Sequence, residues 1–193
     1  MGNNFDWEHS FTIDFALKNG VSQTAPSTKR TLSQVKTIFY DRSAADALLE
    51  NGDPLIYEFY ELGAPENAGD LAFGTSITYP GKVGDEYFMT KGHYHAVLDT
   101  SEVYFTLSGA GFMLMEGAGG DVRLQPLEPG RAVYVPKRYA HRSINSGAVP
   151  LITFFTLRGD AGHDYGSIAE KGFSKLIVER GGLPAAIDNS MWK

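Results

Sequence analysis

The sequence predicts an all-β fold, either a sandwich or a jelly-roll barrel, with a few short helices. Short runs rich in β-branched and aromatic residues recur from residue 54 onward, and turn signals separate them. The 22 glycines and the scattered prolines favour many short strands over a few long helices. Hydrophobic residues make up 42% of the chain, which is enough for a packed core. We therefore expect one domain over residues 1–193.

The first 50 residues precede the strand-rich region and are expected to form an extension with one strand and one short helix. The strand is predicted at residues 11–15. The helix is predicted over about residues 33–51, with Ser43 as its cap and Gly52 in the position of a C-terminal glycine cap.

Residues 51–160 are assigned to the barrel. Seven strands are predicted there, at residues 55–60, 74–79, 86–89, 102–107, 111–115, 132–135 and 152–155. Strands at this spacing are typical of sandwiches and jelly-roll barrels. The remaining segment, residues 161–193, is expected to hold a loop, one short helix and an outer strand at residues 176–178.

The composition argues against several classes of function. Acidic residues outnumber basic ones by 23 to 17 and no Lys or Arg run is present, so nucleic-acid binding is not expected. No apolar stretch reaches the length of about 18 residues that spans a membrane, and no secretory signal pattern opens the chain. Cysteine is absent, which removes thiolate metal sites and Cys nucleophiles. A cytoplasmic protein without membrane contact is expected.

Two histidine clusters point to a metal site. The first lies at residues 92–95 and contains His93 and His95, which would face the same side of a strand and converge on one ion. A turn at residues 99–100 would return the chain, so that Glu102 at the start of the next strand lies beside the two histidines.

The second cluster has the spacing Gly130, five residues, Pro136, four residues, His141, three residues, Asn145. This turn–strand–turn–strand pattern delivers a third histidine from a separate strand pair. Each ligand candidate taken singly is more often an ordinary strand residue, but the joint pattern is specific. Imidazole and carboxylate ligands without sulfur suit Fe, Mn, Ni, Co or Zn. We therefore predict one divalent metal bound by His93, His95, Glu102 and His141.

The two clusters resemble the two motifs of the cupin superfamily. More narrowly, the chain resembles the cupin-type glucose-6-phosphate isomerases, best known from archaea. The similar stretches lie at residues 75–84, 90–96, 99–104, 133–136, 140–142 and 160–175. The blocks at residues 90–95 and 161–175 are the most specific to this family. The resemblance covers roughly residues 50–193 and is looser before residue 50.

The resemblance implies a double-stranded β-helix, the cupin barrel, and an isomerase that interconverts glucose 6-phosphate and fructose 6-phosphate in glycolysis or gluconeogenesis. It also implies Fe²⁺ as the favoured metal, a sugar phosphate as substrate and a homodimer. The metal would hold the C1 and C2 oxygens as a Lewis acid. Both proton transfer and a direct hydride shift stay open.

The resemblance also assigns roles to single residues. Substrate binding is expected of residues lining a sugar-phosphate pocket, namely Thr75, Ser76, Thr90, Gly92, Tyr104, His163 and Tyr165. Catalytic roles are expected of Glu102, His163 and Tyr165, with Glu102 either a proton carrier or only a ligand.

Some positions depart from the family patterns. Arg138 stands where the general second cupin motif has Gly, and Leu157 stands where the isomerases are expected to carry a Tyr near the sugar. Lys91 and Arg142 flank metal ligands, but strand alternation predicts that both point outward into solvent.

Three alternatives compete with this interpretation. Another cupin metalloenzyme, such as a non-haem iron dioxygenase or a different sugar-phosphate isomerase, would leave the similarity of residues 161–175 unexplained. A non-catalytic sugar-binding barrel and a purely structural barrel would give no reason for four converging ligands.

Overall fold

The computed structural model describes residues 5–192, and residues 1–4 and 193 of the predicted domain lie outside it. The described chain is built mainly of strands, which confirms the all-β class. They are β1 (Thr28–Thr31), β2 (Leu55–Glu61), β3 (Leu71–Thr78), β4 (Lys82–Val83), β5 (Glu86–Tyr87), β6 (Glu102–Ser108), β7 (Gly111–Gly117), β8 (Val122–Leu127), β9 (Ala132–Val135), β10 (Tyr139–Asn145), β11 (Leu151–Arg158), β12 (Lys175–Arg180) and β13 (Leu183–Asp188). The helices are short: α1 (Leu32–Val35), a 3₁₀ turn (Lys36–Ile38), α2 (Arg42–Glu50) and α3 (Gly166–Lys171).

Two antiparallel sheets enclose the barrel interior. One has the order β1-β2-β3-β11-β6-β9, and the other has the order β10-β7-β8. Inward side chains of both sheets share one buried cluster, which includes Tyr104, Val133 and Phe155 from the first sheet and Met113 and Leu127 from the second. This arrangement is the double-stranded β-helix. A third sheet, β13-β12-β5-β4, lies beside it.

The N-terminal extension differs from its prediction. Residues 11–15 form no strand: Phe15 makes only an isolated bridge with Ser22, and the strand of this region is β1, which pairs with the edge of β2. The predicted helix is divided into α1, the 3₁₀ turn and α2. Asp41, not Ser43, caps α2, because its carboxylate accepts the N–H of Ala44 at 2.9 Å.

One buried cluster joins all three predicted segments of the chain. It contains Leu32 and Phe39 from the extension, Ile56 from the barrel, and Phe173 and Ile177 from the C-terminal segment. The single-domain organisation stays a prediction, and this shared core supports it. Within residues 5–192, none of the helices has the length and apolar character needed to cross a lipid bilayer.

Gly74 allows β2, β3 and β11 to approach closely. A Cβ added at Gly74 would lie 1.8 Å from the carbonyl oxygen of Tyr60 and 3.0 Å from the ring of Phe155. Neighbouring strands flank β3 on both sides, so the backbone cannot move away without cost. We expect Gly74→Ala to lower the free energy of unfolding by about 3 kcal/mol.

The control for this prediction is Gly69→Ala, because a Cβ at Gly69 meets no atom within 4 Å. Its free energy of unfolding should change by no more than about 0.5 kcal/mol. Urea unfolding measures both variants. Equal stability of the two would contradict the steric argument.

Candidate metal centre

A backbone bridge brings the two histidine clusters together. The N–H of His93 donates to the carbonyl of His141 at 3.3 Å, and the N–H of His141 donates to the carbonyl of His93 at 3.1 Å. Residues 96–101 then return the chain to the start of β6, where Glu102 lies. The candidate ligand atoms of His93, His95, Glu102 and His141 all lie within 4.8 Å of one another. The structure therefore assembles the predicted quartet.

The quartet is mostly buried, and its charge states suit metal binding. Oε2 of Glu102 lies 3.1 Å from Nε2 of His95 and 2.9 Å from Nε2 of His141. Burial alone would raise the pKa of Glu102, but the adjacent His141 and His95 more than offset it and lower the pKa well below its usual value. Burial, reinforced by His141, lowers the pKa of His93 well below its usual range. The site thus combines a carboxylate with a neutral imidazole.

The hydrogen bonds of the imidazoles leave their lone pairs pointing into the site. Nδ1 of His95 lies 3.1 Å from the carbonyl of Thr100, and Nδ1 of His141 lies 3.4 Å from the carbonyl of Tyr139, so in each ring Nδ1 is the donor. In the neutral tautomer, Nε2 then faces the Glu102 carboxylate with a lone pair. Two acceptors at this distance repel each other unless a proton or a metal cation lies between them.

The lack of hydrogen-bond partners at two imidazole nitrogens also supports a cation site. Nε2 of His93 and Nε2 of His141 are buried and have no hydrogen-bond partner of acceptable geometry among residues 5–192. Buried polar atoms are normally satisfied. Metal-binding histidines typically donate the other ring nitrogen to a carbonyl, as His95 and His141 do. The donor set therefore fits a divalent transition metal.

The quartet adjoins a cavity of about 610 Å³, counting the solvent at its mouth. Most residues assigned to substrate binding line it, namely Ser76, Thr90, Gly92, Tyr104, His163 and Tyr165.

The prediction that Thr75 binds substrate needs correction, because Thr75 does not line this cavity. Its side chain is buried on the opposite face of β3, where the hydroxyl donates to the carbonyl of Gly20 at 2.5 Å. Consecutive residues of a strand face opposite sides, so Thr75 and Ser76 cannot both reach the substrate.

Lys91 also differs from its prediction, since it lines the cavity instead of pointing away into solvent. Its Nζ lies 4.5 Å from the ring centre of Tyr165. Lys91 lies outside the regular strands, and Gly92 has a φ of +76°, so strand alternation does not apply there.

Arg142 was predicted to be solvated and is instead buried, with 4% of its surface exposed. The outward face of β10 is covered at this point by Phe173, whose ring lies 4.2 Å from the guanidinium carbon. Nη2 of Arg142 donates to the carbonyl of Lys91 at 2.7 Å. Burial lowers the pKa of Arg142 to about 10, so the group keeps its charge at neutral pH.

The sequence analysis did not identify five residues that line the cavity, of which two are Ser143 of β10 and Phe155 of β11 and three lie on β2. Tyr57, Phe59 and Glu61 of β2 all line the cavity. Tyr57, Phe59 and Glu61 alternate along β2, so the two-residue period of a strand places all three on one face. What the sequence lacked was a sign that this face points to the histidines.

The loop at residues 162–166 is fixed beside the quartet. Tyr94 and Asp164 exchange backbone hydrogen bonds of 3.0 and 2.8 Å. The ring centre of His163 lies 4.4 Å from that of His93, and the rings of His163 and Tyr165 are nearly parallel, with 10° between them. Both side chains predicted to be catalytic in this loop therefore reach the site.

Arg138 adopts the backbone conformation that explains the glycine of the general motif. Its φ is +66°, and it is the only non-glycine residue with positive φ within residues 5–192. The guanidinium forms two hydrogen bonds of 2.8 and 3.2 Å with Asp99. This ion pair ties the turn before Glu102 to the turn before His141.

Comparison with known proteins gives a consistent result. The family model described as "Glucose-6-phosphate isomerase (GPI)" matches residues 29–192. The glucose-6-phosphate isomerase of Thermococcus litoralis is 46% identical over 187 residues, which cover 97% of this chain and 98% of that protein. The enzymes of Thermococcus onnurineus and Pyrococcus horikoshii are 48% and 47% identical, each over 181 residues that cover 94% of this chain and 95% of the relative.

Proposed function

Because the chain belongs to the glucose-6-phosphate isomerase family, it interconverts glucose 6-phosphate and fructose 6-phosphate, and we propose that it does so at a divalent metal bound by His93, His95, Glu102 and His141. The observation that carries the metal proposal is the buried donor set, in which imidazole nitrogens and a carboxylate converge on one point. Fe²⁺ is the ion we expect from the family resemblance, and Mn²⁺, Co²⁺, Ni²⁺ and Zn²⁺ suit the same ligands.

When bound, the ion would supply Lewis acidity toward the C1 and C2 oxygens of the open-chain sugar. The chain's own residues would hold the rest of the substrate. We assign the phosphate to the wall that carries Ser76, Thr90, Lys91 and the backbone of Gly92. The hydroxyl of Thr90 accepts the N–H of Ser143 at 3.1 Å, which leaves its hydrogen free for a phosphate oxygen.

The reaction moves one hydrogen between C1 and C2 and one proton between the attached oxygens. Glu102 is ionised and held between two imidazoles, so we assign it mainly to metal binding. Burial, with a smaller effect of Tyr57, raises the pKa of Tyr165, so its hydroxyl stays protonated and serves as a hydrogen-bond donor. His163 is then the group we assign to carrying the proton between the sugar oxygens.

The assembly and the cellular role extend the proposal. A cytoplasmic homodimer acting in glycolysis or gluconeogenesis follows from the resemblance. Exposed aromatic side chains on β6 and β9, Phe105 with 40% and Tyr134 with 62% of their surface accessible, support self-association. Light scattering after size-exclusion chromatography measures the number of chains.

A coupled assay for glucose 6-phosphate formation tests the function. The protein is stripped with a chelator and refilled separately with Fe²⁺, Mn²⁺, Ni²⁺ or Zn²⁺, and fructose 6-phosphate is supplied. We expect stripping to remove most of the activity and at least one ion to restore it. Full activity in the stripped protein would refute the metal proposal. Bound metal without turnover for every ion would refute the assigned reaction.

A further inference from the structure

A second cavity lies on the other side of residues 91–92 from the substrate cavity. By the measure that gives 610 Å³ for the substrate cavity, its volume is about 680 Å³. Its walls come from residues 37–42, from Arg142 of β10, and from the end of α3 with the residues that follow. Within the described chain, Lys91 is the one residue that lines both cavities.

The walls of the second cavity are strongly basic. Arg42, Lys91, Arg142 and Lys171 line it, whereas Glu170 is the only acidic residue among the described lining residues. None of these four cations forms an ion pair with a carboxylate of residues 5–192. The cavity therefore concentrates positive charge that the described chain leaves uncompensated.

Arg142 makes this imbalance costly. Its guanidinium is almost wholly buried, and Nε has no hydrogen-bond partner in the described chain. Its contacts are the sulfur of Met89, the carbonyl of Lys91 and the ring of Phe173, none of which carries negative charge. The carboxylates of Glu86 and Glu116 act on it only from a distance, and one Glu86 oxygen accepts the N–H of Tyr40 at 2.8 Å. Buried charges are ordinarily paired.

We propose that the second cavity binds a small phosphate-bearing anion, which supplies the missing counter-charge to Arg42, Arg142 and Lys171. Several cations against one carboxylate favour a doubly charged group, as a phosphate monoester is at neutral pH. Apolar side chains on the same walls, Ile38, Leu176 and Met191, leave room for a short organic body. This site is separate from the metal centre and does not depend on the proposed function.

Titration calorimetry with inorganic phosphate on the metal-loaded protein tests the proposal. We expect two phosphates per chain, one in the substrate cavity and one in the second cavity. Arg42→Met and Lys171→Met should each lower the affinity for the phosphate in the second cavity by at least about tenfold, since each removes a charged hydrogen-bond donor. Thr90→Val should lower only the affinity for the phosphate in the substrate cavity.

Lys18→Met is the control, because Lys18 is exposed and lines neither cavity. It should leave both phosphates bound as in the unmodified protein. Retention of the substrate-cavity phosphate in Arg42→Met and Lys171→Met shows that these variants are folded. If Arg42→Met and Lys171→Met leave the affinity of every bound phosphate unchanged, whether the unmodified protein binds one or two, the proposal is overturned. The titration is repeated on metal-stripped protein. Because the second cavity contains no proposed metal ligand, its phosphate should bind equally well there, so failure of this proposal is distinguishable from failure of the metal proposal.

Discussion

Replacing Glu102 with Gln is expected to lower kcat/KM for fructose 6-phosphate by at least about 10³-fold. Glu102 is the only carboxylate of the quartet, and it lies within 3.1 Å of two imidazole nitrogens. An amide has nearly the same size but contributes no charge, so the affinity for a divalent ion falls together with the activity. Metal content by mass spectrometry and the coupled assay at increasing metal concentration measure the two effects.

The matched control is Glu61→Gln, the same substitution at another carboxylate that lines the same cavity. Glu61 is outside the quartet, so metal content should be unchanged and kcat/KM should fall by less than about tenfold. Comparable losses in both variants would mean that Glu102 acts only through the general potential of the cavity. If Glu102→Gln keeps its full metal content and a kcat/KM within tenfold of the unmodified protein, Glu102 is not a metal ligand.

The grouping of the four candidate metal ligands could be predicted from the sequence because it depends on local chain geometry. His93 and His95 lie two residues apart in a segment that isolated bridges at His93 and Tyr94 hold in place, so their side chains face the same side, and the turn before Glu102 reverses the chain. The same rule separates Thr75 from Ser76. The resemblance implies a substrate role for both residues, but only Ser76 faces the cavity.

The orientation of Lys91 and the burial of Arg142 could not be predicted in this way. Alternation requires an extended backbone, and Lys91 precedes a glycine with positive φ. Arg142 does point away from the metal, as alternation requires, but Phe173 from a distant part of the chain covers it. Long-range burial of this kind leaves no local pattern. The break between α1 and α2, by contrast, does leave a local sign, because Asp41 is a favoured N-cap residue, but the helix was predicted to run through it.

Leu157 is a departure from the family pattern that lies inside the site. It is the cross-strand partner of Glu102 in the pairing of β11 with β6, and it lines the substrate cavity. An apolar side chain therefore stands directly beside the carboxylate, where the resemblance led us to expect a tyrosine hydroxyl. This apolar contact supports our proposal that proton transfer relies on the other wall, which carries His163.

Replacing His163 with Asn is expected to lower kcat by about 10²- to 10³-fold while the metal content stays unchanged. The amide keeps a polar group near His93 but cannot carry a proton at neutral pH. Tyr165→Phe is the control, because it keeps the aromatic ring beside His163 and removes only the hydroxyl. Since that hydroxyl is expected to donate a hydrogen bond and not to carry the proton, its loss should lower kcat by less than about tenfold.

Steady-state kinetics of both variants, loaded with the same metal, separates the two roles. A large fall in kcat for His163→Asn with little change in KM identifies a group that acts in the transition state. A rise in KM alone would assign His163 to sugar binding, and the proton would then have to travel through Glu102. In that case Glu102→Asp, which keeps the charge and shortens the side chain by one methylene, should lose far more activity than metal.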